Sequence, residues 1–275
     1  MLRNLKDLQG YTINATDGDI GNVDDFYFDD DSWVIRYFVV DTGAWLSGRK
    51  VLISPMAIGH PNWPDRQLPV SITQDQVRHS PDVNTEKPVS RQHEIWLLGF
   101  YHFPYYWGGA GLWGGSASPG ISLEGAGLNA EYRPVDSGDV PPATFEAGHG
   151  THNDPHLRSC KAVTGYHIAA IDGDIGHVCG MLVDEHSWAI RYLIVDTSNW
   201  WRGHQVLIAP PWIVGVSWTE NTVTLDLTRR TIHDAPPYDP TAPIDREHEA
   251  GIYGHYGLKG YWVDEDAAES VIEKQ

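Results

Sequence analysis

The strongest constraint on this chain's fold is that most of it is written twice. Residues 10–58, "GYTINATDGDIGNVDDFYFDDDSWVIRYFVVDTGAWLSGRKVLISPMAI", align without a gap on residues 165–213, "GYHIAAIDGDIGHVCGMLVDEHSWAIRYLIVDTSNWWRGHQVLIAPPWI". About half of the paired positions are identical, at a constant offset of 155 (165 minus 10). The same offset pairs "PVSRQHE" (88–94) with "PIDREHE" (243–249) and Tyr106-Trp107 with Tyr261-Trp262, so the tails belong to the repeat as well. Two copies this long are too few for a solenoid. The expected organisation is a first repeat at 1–85, an aromatic and glycine-rich extension and linker at 86–158, a second repeat at 159–238 and a C-terminal extension at 239–275.

Within a copy the local pattern is that of β-structure. "YTI" and "GNVDDFYFD" flank an Asp-Gly-Asp, "DDSW" supplies the next reversal, and "WVIRYFVVDT" is a long β-branched and aromatic run. "KVLISP" and "LPVSIT" follow in the first copy, "QVLIAP" and "VTLDLT" in the second. Five or six short strands per copy predict a closed barrel or small sandwich, with only short helices such as "TQDQVRHS", capped by Thr73. The aromatic run at 95–109, "IWLLGFYHFPYYWGG", is expected to form core strands or a packing arm, with a partner-docking or membrane-surface patch as the alternative.

Asp17-Gly18-Asp19 and Asp172-Gly173-Asp174 lie at the tips of strand-like runs, where glycine tolerates positive φ and a short carboxylate can bond nearby backbone. They are expected to make turns, with Ile20 and Val23 pointing inward and Gly21 allowing a bend. The other reading is a cation site formed by Asp17, Asp19, Asp172 and Asp174, although each loop offers only two carboxylates to an ion that takes six to eight oxygens.

The ordered pattern "G…DGDIG.V.D…W.IRY.VVDT…W…KVLISP" resembles the PRC-barrel family, over roughly residues 5–80 and 160–235. The resemblance implies a mainly β fold, two tandem six-stranded barrels, of the type found in the photosynthetic reaction-centre H subunit and in a ribosome maturation factor. Those relatives act as assembly or docking modules. A photosynthetic role is therefore an alternative by analogy, but fold does not fix function.

The net charge of −18 divides evenly: 10 basic and 19 acidic residues in 1–150, and 9 and 18 in 151–275. Such a surface repels phosphate backbones, so no nucleic-acid partner is expected. No apolar run reaches the length of a transmembrane helix and the N-terminus lacks a secretory core, which makes the cytoplasm of a bacterium the expected location. Cys160 and Cys179 form no CxxC pair and are expected to pack as small apolar groups.

Catalytic patterns fail one by one. His93-Glu94 and His248-Glu249 begin HExx motifs, but Leu97 and Ile252 stand where a zincin needs its second histidine. His149, His152 and His156 fall in a segment with Gly150, Asn153, Asp154 and Pro155, expected to be a linker. There is no GxSxG and no phosphate-binding glycine loop. Arg36 and Arg191 in the matched "IRY" are expected on the barrel exterior, stem on apolar surface and guanidinium on a carboxylate, with ligand binding as the alternative. Trp45, Trp200 and Trp201 either plug the barrel ends or anchor an interface. The expectation is a non-enzymatic interaction module without cofactor, in which duplication pairs the two barrels intramolecularly and the protein partner is unknown. The alternative is metal or small-ligand binding in an inter-barrel cleft.

Overall fold

A computed structural model describes residues 1–81, 89–120, 156–197 and 204–263. The first copy runs β1 (Leu2–Asn4), α1 (Leu5–Leu8), β2 (Thr12–Ala15), β3 (Gly18–Asp29), β4 (Val34–Asp41), β5 (Lys50–Ile53), β6 (Gln67–Pro69), α2 (Gln74–His79) and α3 (Arg91–Tyr101). The second copy runs β7 (Leu157–Ser159), α4 (Cys160–Val163), β8 (His167–Ala170), β9 (Gly173–Asp184), β10 (Ile190–Asp196), β11 (Gln205–Ile208), β12 (Ile213–Ser217), β13 (Thr222–Leu225), α5 (Arg229–His233) and α6 (Arg246–Tyr256). The fold is mainly β, and the expected strands stand where the alternation placed them.

One compact unit is built from Arg3–Val163 and Val183–Ile190. Its sheet has the order β5-β4-β3-β2-β6, antiparallel except for the parallel β2-β6 pair. The other unit, Met1–Leu2, Thr164–Leu182 and Arg191–Gln275, carries the order β11-β10-β9-β8-β13-β12, with β8 and β13 parallel. The expected closure into six-stranded barrels is not met: among the described residues both strand paths are open. In the first copy the stretch between β5 and β6 forms isolated bridges, Ile58 to Val70 and Asn62 to Gln67, rather than a named strand among the described residues. Pro55, Pro61 and Pro64 lie in this stretch, and each removes a donor that a continuous ladder would need.

Asp17-Gly18 does form the β2–β3 turn, and Ile20 and Val23 are buried. Gly21 is constrained by proximity as well as by conformation. Its φ is +155°, and a Cβ there would sit 2.1 Å from the Asp41 carbonyl oxygen on β4; at the equivalent Gly176 the distance to the Asp196 carbonyl is 1.8 Å. The close approach of β3 to β4 at Gly21, and of β9 to Asp196 at Gly176, thus depends on a missing side chain.

Thr73 caps α2 through a capping box with Gln76, as its sequence predicts. The larger surprise is α3. The aromatic run was expected as strand or arm, but Arg91–Tyr101 is an eleven-residue helix capped by the Ser90 hydroxyl, and α6 matches it with Asp245 as cap. Glu94, Leu97, Leu98 and Tyr101 share the i, i+3, i+4, i+7 face that is buried. Trp96, Phe100 and Tyr101 favour strands and Gly99 weakens a helix, which hid this period. After α3, His102 turns left-handed at φ +58°, as Gly257 does at +66° after α6.

Gly21→Ala and Gly176→Ala should each destabilise the protein by about 1–3 kcal/mol or more, because backbone must move to admit the methyl group. Gly251→Ala, exposed within α6 with nothing near its Cβ position, should instead stabilise by about 0.5–1 kcal/mol. Urea midpoints check both; a neutral Gly21→Ala would contradict the close approach.

Candidate functional site

Each extension helix carries a glutamate into the protein. In the first copy Glu94 is fully buried on the first turn of α3. Tyr106 Oη donates to its Oε2 at 2.5 Å, His156 Nε2 lies 2.8 Å from its Oε1, and Arg91 Nη1 is 3.3 Å from the same oxygen. Arg91 also donates to Tyr106 Oη at 2.8 Å. Asp29 Oδ2 stands 4.0 Å from His156 Nε2. A buried carboxylate without such donors would cost several kcal/mol. Here the helix, the following turn and the residue just before β7 all supply them.

The second copy repeats the plan. Tyr192 and Tyr261 each donate to Glu249 Oε1 at 2.9 Å, and Arg246 Nη1 approaches Oε2 at 3.1 Å. Arginine stacking repeats as well. Arg36 lies 3.8 Å over Tyr106 and Arg191 3.9 Å over Tyr261; Arg91 lies 4.2 Å over Trp107 and Arg246 4.4 Å over Trp262.

The phenols respond to these surroundings. Burial, then the Glu94 charge, pushes the Tyr37 and Tyr106 hydroxyls well above their usual range. Tyr192 and Tyr261 move the same way through burial and Glu249, and Tyr253 is pushed up to about 12. They therefore remain donors at neutral pH. Burial lowers the pKa of Arg36, opposed by Tyr106, Asp29 and Glu94.

A second polar cluster fixes β7 and α4 to the first copy. β7 pairs antiparallel with β3, placing Ser159 opposite Tyr27 and Leu157 opposite Asp29. Ser159 Oγ donates to Asp25 Oδ2 at 2.5 Å and the Lys161 amide to Oδ1 at 3.1 Å. Lys161 and Lys50 both pair with Asp24, and Arg158 Nε meets Asp30 at 2.7 Å. Burial raises the Asp25 pKa, partly offset by Ser159 and by the Phe26 and Lys161 amides. In the same unit Arg3 Nε meets Glu185 at 2.7 Å, the position-for-position counterpart of Arg158 with Asp30. Ile35 N donates to Trp188 O and Ile190 N to Trp33 O, on either side of a Val34–Ala189 bridge. The Arg–acid pairs Arg158–Asp30 and Arg3–Glu185, the Ile35–Trp188 and Ile190–Trp33 bonds and the Val34–Ala189 bridge map onto one another at the repeat offset, so this unit contains a local pseudo-two-fold.

Of the residues singled out in the sequence, Arg36 is not at the barrel exterior. It is 3% exposed, and its guanidinium donates to the Leu112 carbonyl at 2.6 Å and Ser32 Oγ at 3.0 Å under Trp113. The extension covers the face of β4 that would otherwise meet water, which is why the strand is apolar on both sides. Arg191 is half-buried. Trp45 is half-buried in a 3-10 turn, with Arg78 5.8 Å from its ring. Trp200 and Trp201 lie outside the described residues, as do His149 and His152. Asp17, Asp19, Asp172 and Asp174 are exposed. Asp17 accepts from the Gln74 amide, Asp19 from Asn14, and Asp172 from the Arg229 amide. Among the described residues no group of three or more His, Cys, Asp or Glu side chains converges on a metal position. Cys160 is buried with its thiol pKa raised by that burial, the behaviour of a packing residue. His156 belongs to the Glu94 cluster rather than to a linker. The sequence reading missed Glu94, Glu249, Tyr106 and Tyr261 as a set; the signal was their shared offset in "R.HE…YW".

A model of the PRC-barrel domain matches residues 2–60. The first copy thus carries a PRC-barrel domain, and the long β3–β4 pair with its Gly21 crossing lies within the matched stretch. A search of curated proteins returned no match. Among the described residues no helix is long and apolar enough to cross a membrane.

Glu94→Ala should cost about 3–5 kcal/mol, since it strands charged donors in the interior. Tyr106→Phe should cost about 1–3 kcal/mol by removing one donor from the buried carboxylate. Because Tyr37 and Tyr106 hold their protons to higher pH when folded, their stabilisation is complete below about pH 10 and is lost above it, at up to about 1.4 kcal/mol per pH unit for each. Urea midpoints measured from pH 8 to 11.5 should fall in the upper part of that range, and less steeply for Tyr106→Phe; a flat profile would contradict the coupling.

Proposed function

We propose that the chain is a non-enzymatic tandem PRC-barrel protein of the cytoplasm, working as an interaction or assembly module. The second copy shares the PRC-type fold of the first by internal identity, and duplication supplies a covalent pseudo-dimer. The observation that carries this reading is the seating of Leu157–Val163 on β3: a segment encoded in one copy completes the sheet of the other through ladder pairing and the Asp24, Asp25 and Asp30 carboxylates. Strand addition of this kind is a general mode of protein recognition. The buried charges support it too, since Glu94, Arg91 and Arg36 are engaged in holding the extension to the sheet.

The test is capture from the native host with the full chain as bait, quantified by mass spectrometry, beside a parallel assay of the purified protein against hydrolase substrates. A stoichiometric partner set retained by the wild type and lost by the Trp45→Ala/Trp200→Ala double variant is the expected result. Identical sets would remove those two rings from the interface. Turnover of a substrate, or the lack of any stoichiometric partner, would sink the module reading.

A further inference from the structure

Comparison at the repeat offset singles out one cross-strand pair in which both members differ together. In the first copy Thr12 on β2 stands opposite Asn22 on β3, and the Thr12 hydroxyl donates to Asn22 Oδ1 at 3.2 Å. Both side chains therefore leave the same face of the sheet. Their counterparts in the second copy are His167 on β8 and His177 on β9, again directly opposed. His167 N donates to the Asn221 carbonyl at 2.8 Å and Val178 N to Tyr166 O at 2.8 Å, so the ladder bond falls one residue away from the histidines. Such a pair is of the non-hydrogen-bonded kind, in which opposed side chains come closest, with Cβ atoms about 4.5–5.5 Å apart.

Packing does not account for these two rings. His167 is exposed and His177 half-buried, while their neighbours Ile168 and Val178 are fully buried and supply the core. Hydrogen bonding does not account for them either. His79, His156 and His255 each bring a ring nitrogen within 2.9 Å of an oxygen. Among the described residues neither His167 nor His177 has such a partner.

We propose that His167 and His177 form a two-imidazole site for a late first-row divalent metal ion, copper(II) ahead of nickel(II) and zinc(II). Imidazole suits these ions, and the general order of their affinities puts copper first. Directly opposed Cβ atoms on one face let rotations about χ1 and χ2 bring a nitrogen of each ring to one ion, at the metal–imidazole distance of about 2.0–2.1 Å. Water completes the shell: among the described residues no group of three His, Cys, Asp or Glu side chains converges, which distinguishes this pair from a structural zinc centre. The net charge of −18 draws cations to the surface. Thr12 and Asn22 offer only neutral oxygens, so the site belongs to the second copy alone. It uses none of the Asp-Gly-Asp carboxylates and is independent of the interaction-module reading.

The test titrates copper(II) chloride alone into metal-free, isotope-labelled full-length protein and follows the amide signals of Ile168 and Val178. Paramagnetic broadening at both is expected while the ion is still sub-stoichiometric. The double variant His167→Thr/His177→Asn installs the pair that the first copy already accommodates, so it should fold. It should weaken copper binding at this site at least about tenfold, a loss of about 1.4 kcal/mol. Each single variant should lose as much, because chelation needs both rings. A second measurement needs no variant: zinc(II) should shift both imidazole Cε1–H signals with one common dissociation constant. The proposal is overturned if broadening at 168 and 178 is absent or survives in the double variant, or if the two zinc constants differ. It is equally overturned if either single variant binds as tightly as the wild type, which would mark an adventitious ion only, held by one imidazole.

Discussion

A carboxylate held out of water organises much of each unit. Moving such a group from water into a protein interior is costly unless donors are already in place. Glu94 has its donors only when α3 lies against the sheet, when the turn after it returns Tyr106, and when the segment before β7 delivers His156. A shift of α3 by one residue would turn the carboxylate away from all of them. The charge therefore specifies register more than it adds stability, the role best attested for buried polar groups. That Glu249 finds Tyr192, Tyr261 and Arg246 in the corresponding places argues that the geometry is a property of the repeat.

The same arrangement solves two problems of an open sheet. One is the outer face of β4, where every residue from Val34 to Val40 is buried; the aromatic extension covers that face, and Arg36 is the polar contact between them. The other is the edge of the β3 ladder beyond its contact with β4. Unpaired strand edges invite association, and here the β7 segment occupies the position with matched charges. Arg158 to Asp30 and Arg3 to Glu185 are the same contact made in both directions. Individually such partly exposed pairs contribute little. Their value is in fixing which segment docks, and in which register.

The repeat, the strands and the Asp-Gly turns were legible because each is a local pattern: alternation, a turn dipeptide, an offset. Gly21 was also marked, although as a flexible point, whereas its true constraint is the Asp41 carbonyl beside it, a non-local fact. Barrel closure was overread from strand count, since three prolines interrupt the stretch that would have to zip up. The helix at 91–101 was missed because strand-favouring aromatics and Gly99 mask a helical period that the buried glutamate imposes from outside. Glu94 itself was noticed only as part of a failed zinc motif. Its partners at 37, 106 and 156 are separated by 57, 12 and 62 residues, and no spacing rule links them.

Duplication allows the two copies to be compared as one would compare a protein with its variant. Distances in the shared base agree closely, 3.8 against 3.9 Å for one arginine–tyrosine stack and 4.2 against 4.4 Å for the arginine–tryptophan stack. Positions that anchor the glutamate have thus stayed fixed in geometry between the two copies. In each copy the buried carboxylate is held by a tyrosine returned by the extension and by the arginine one turn before it on the same helix, so both halves meet the same desolvation cost with the same kinds of group.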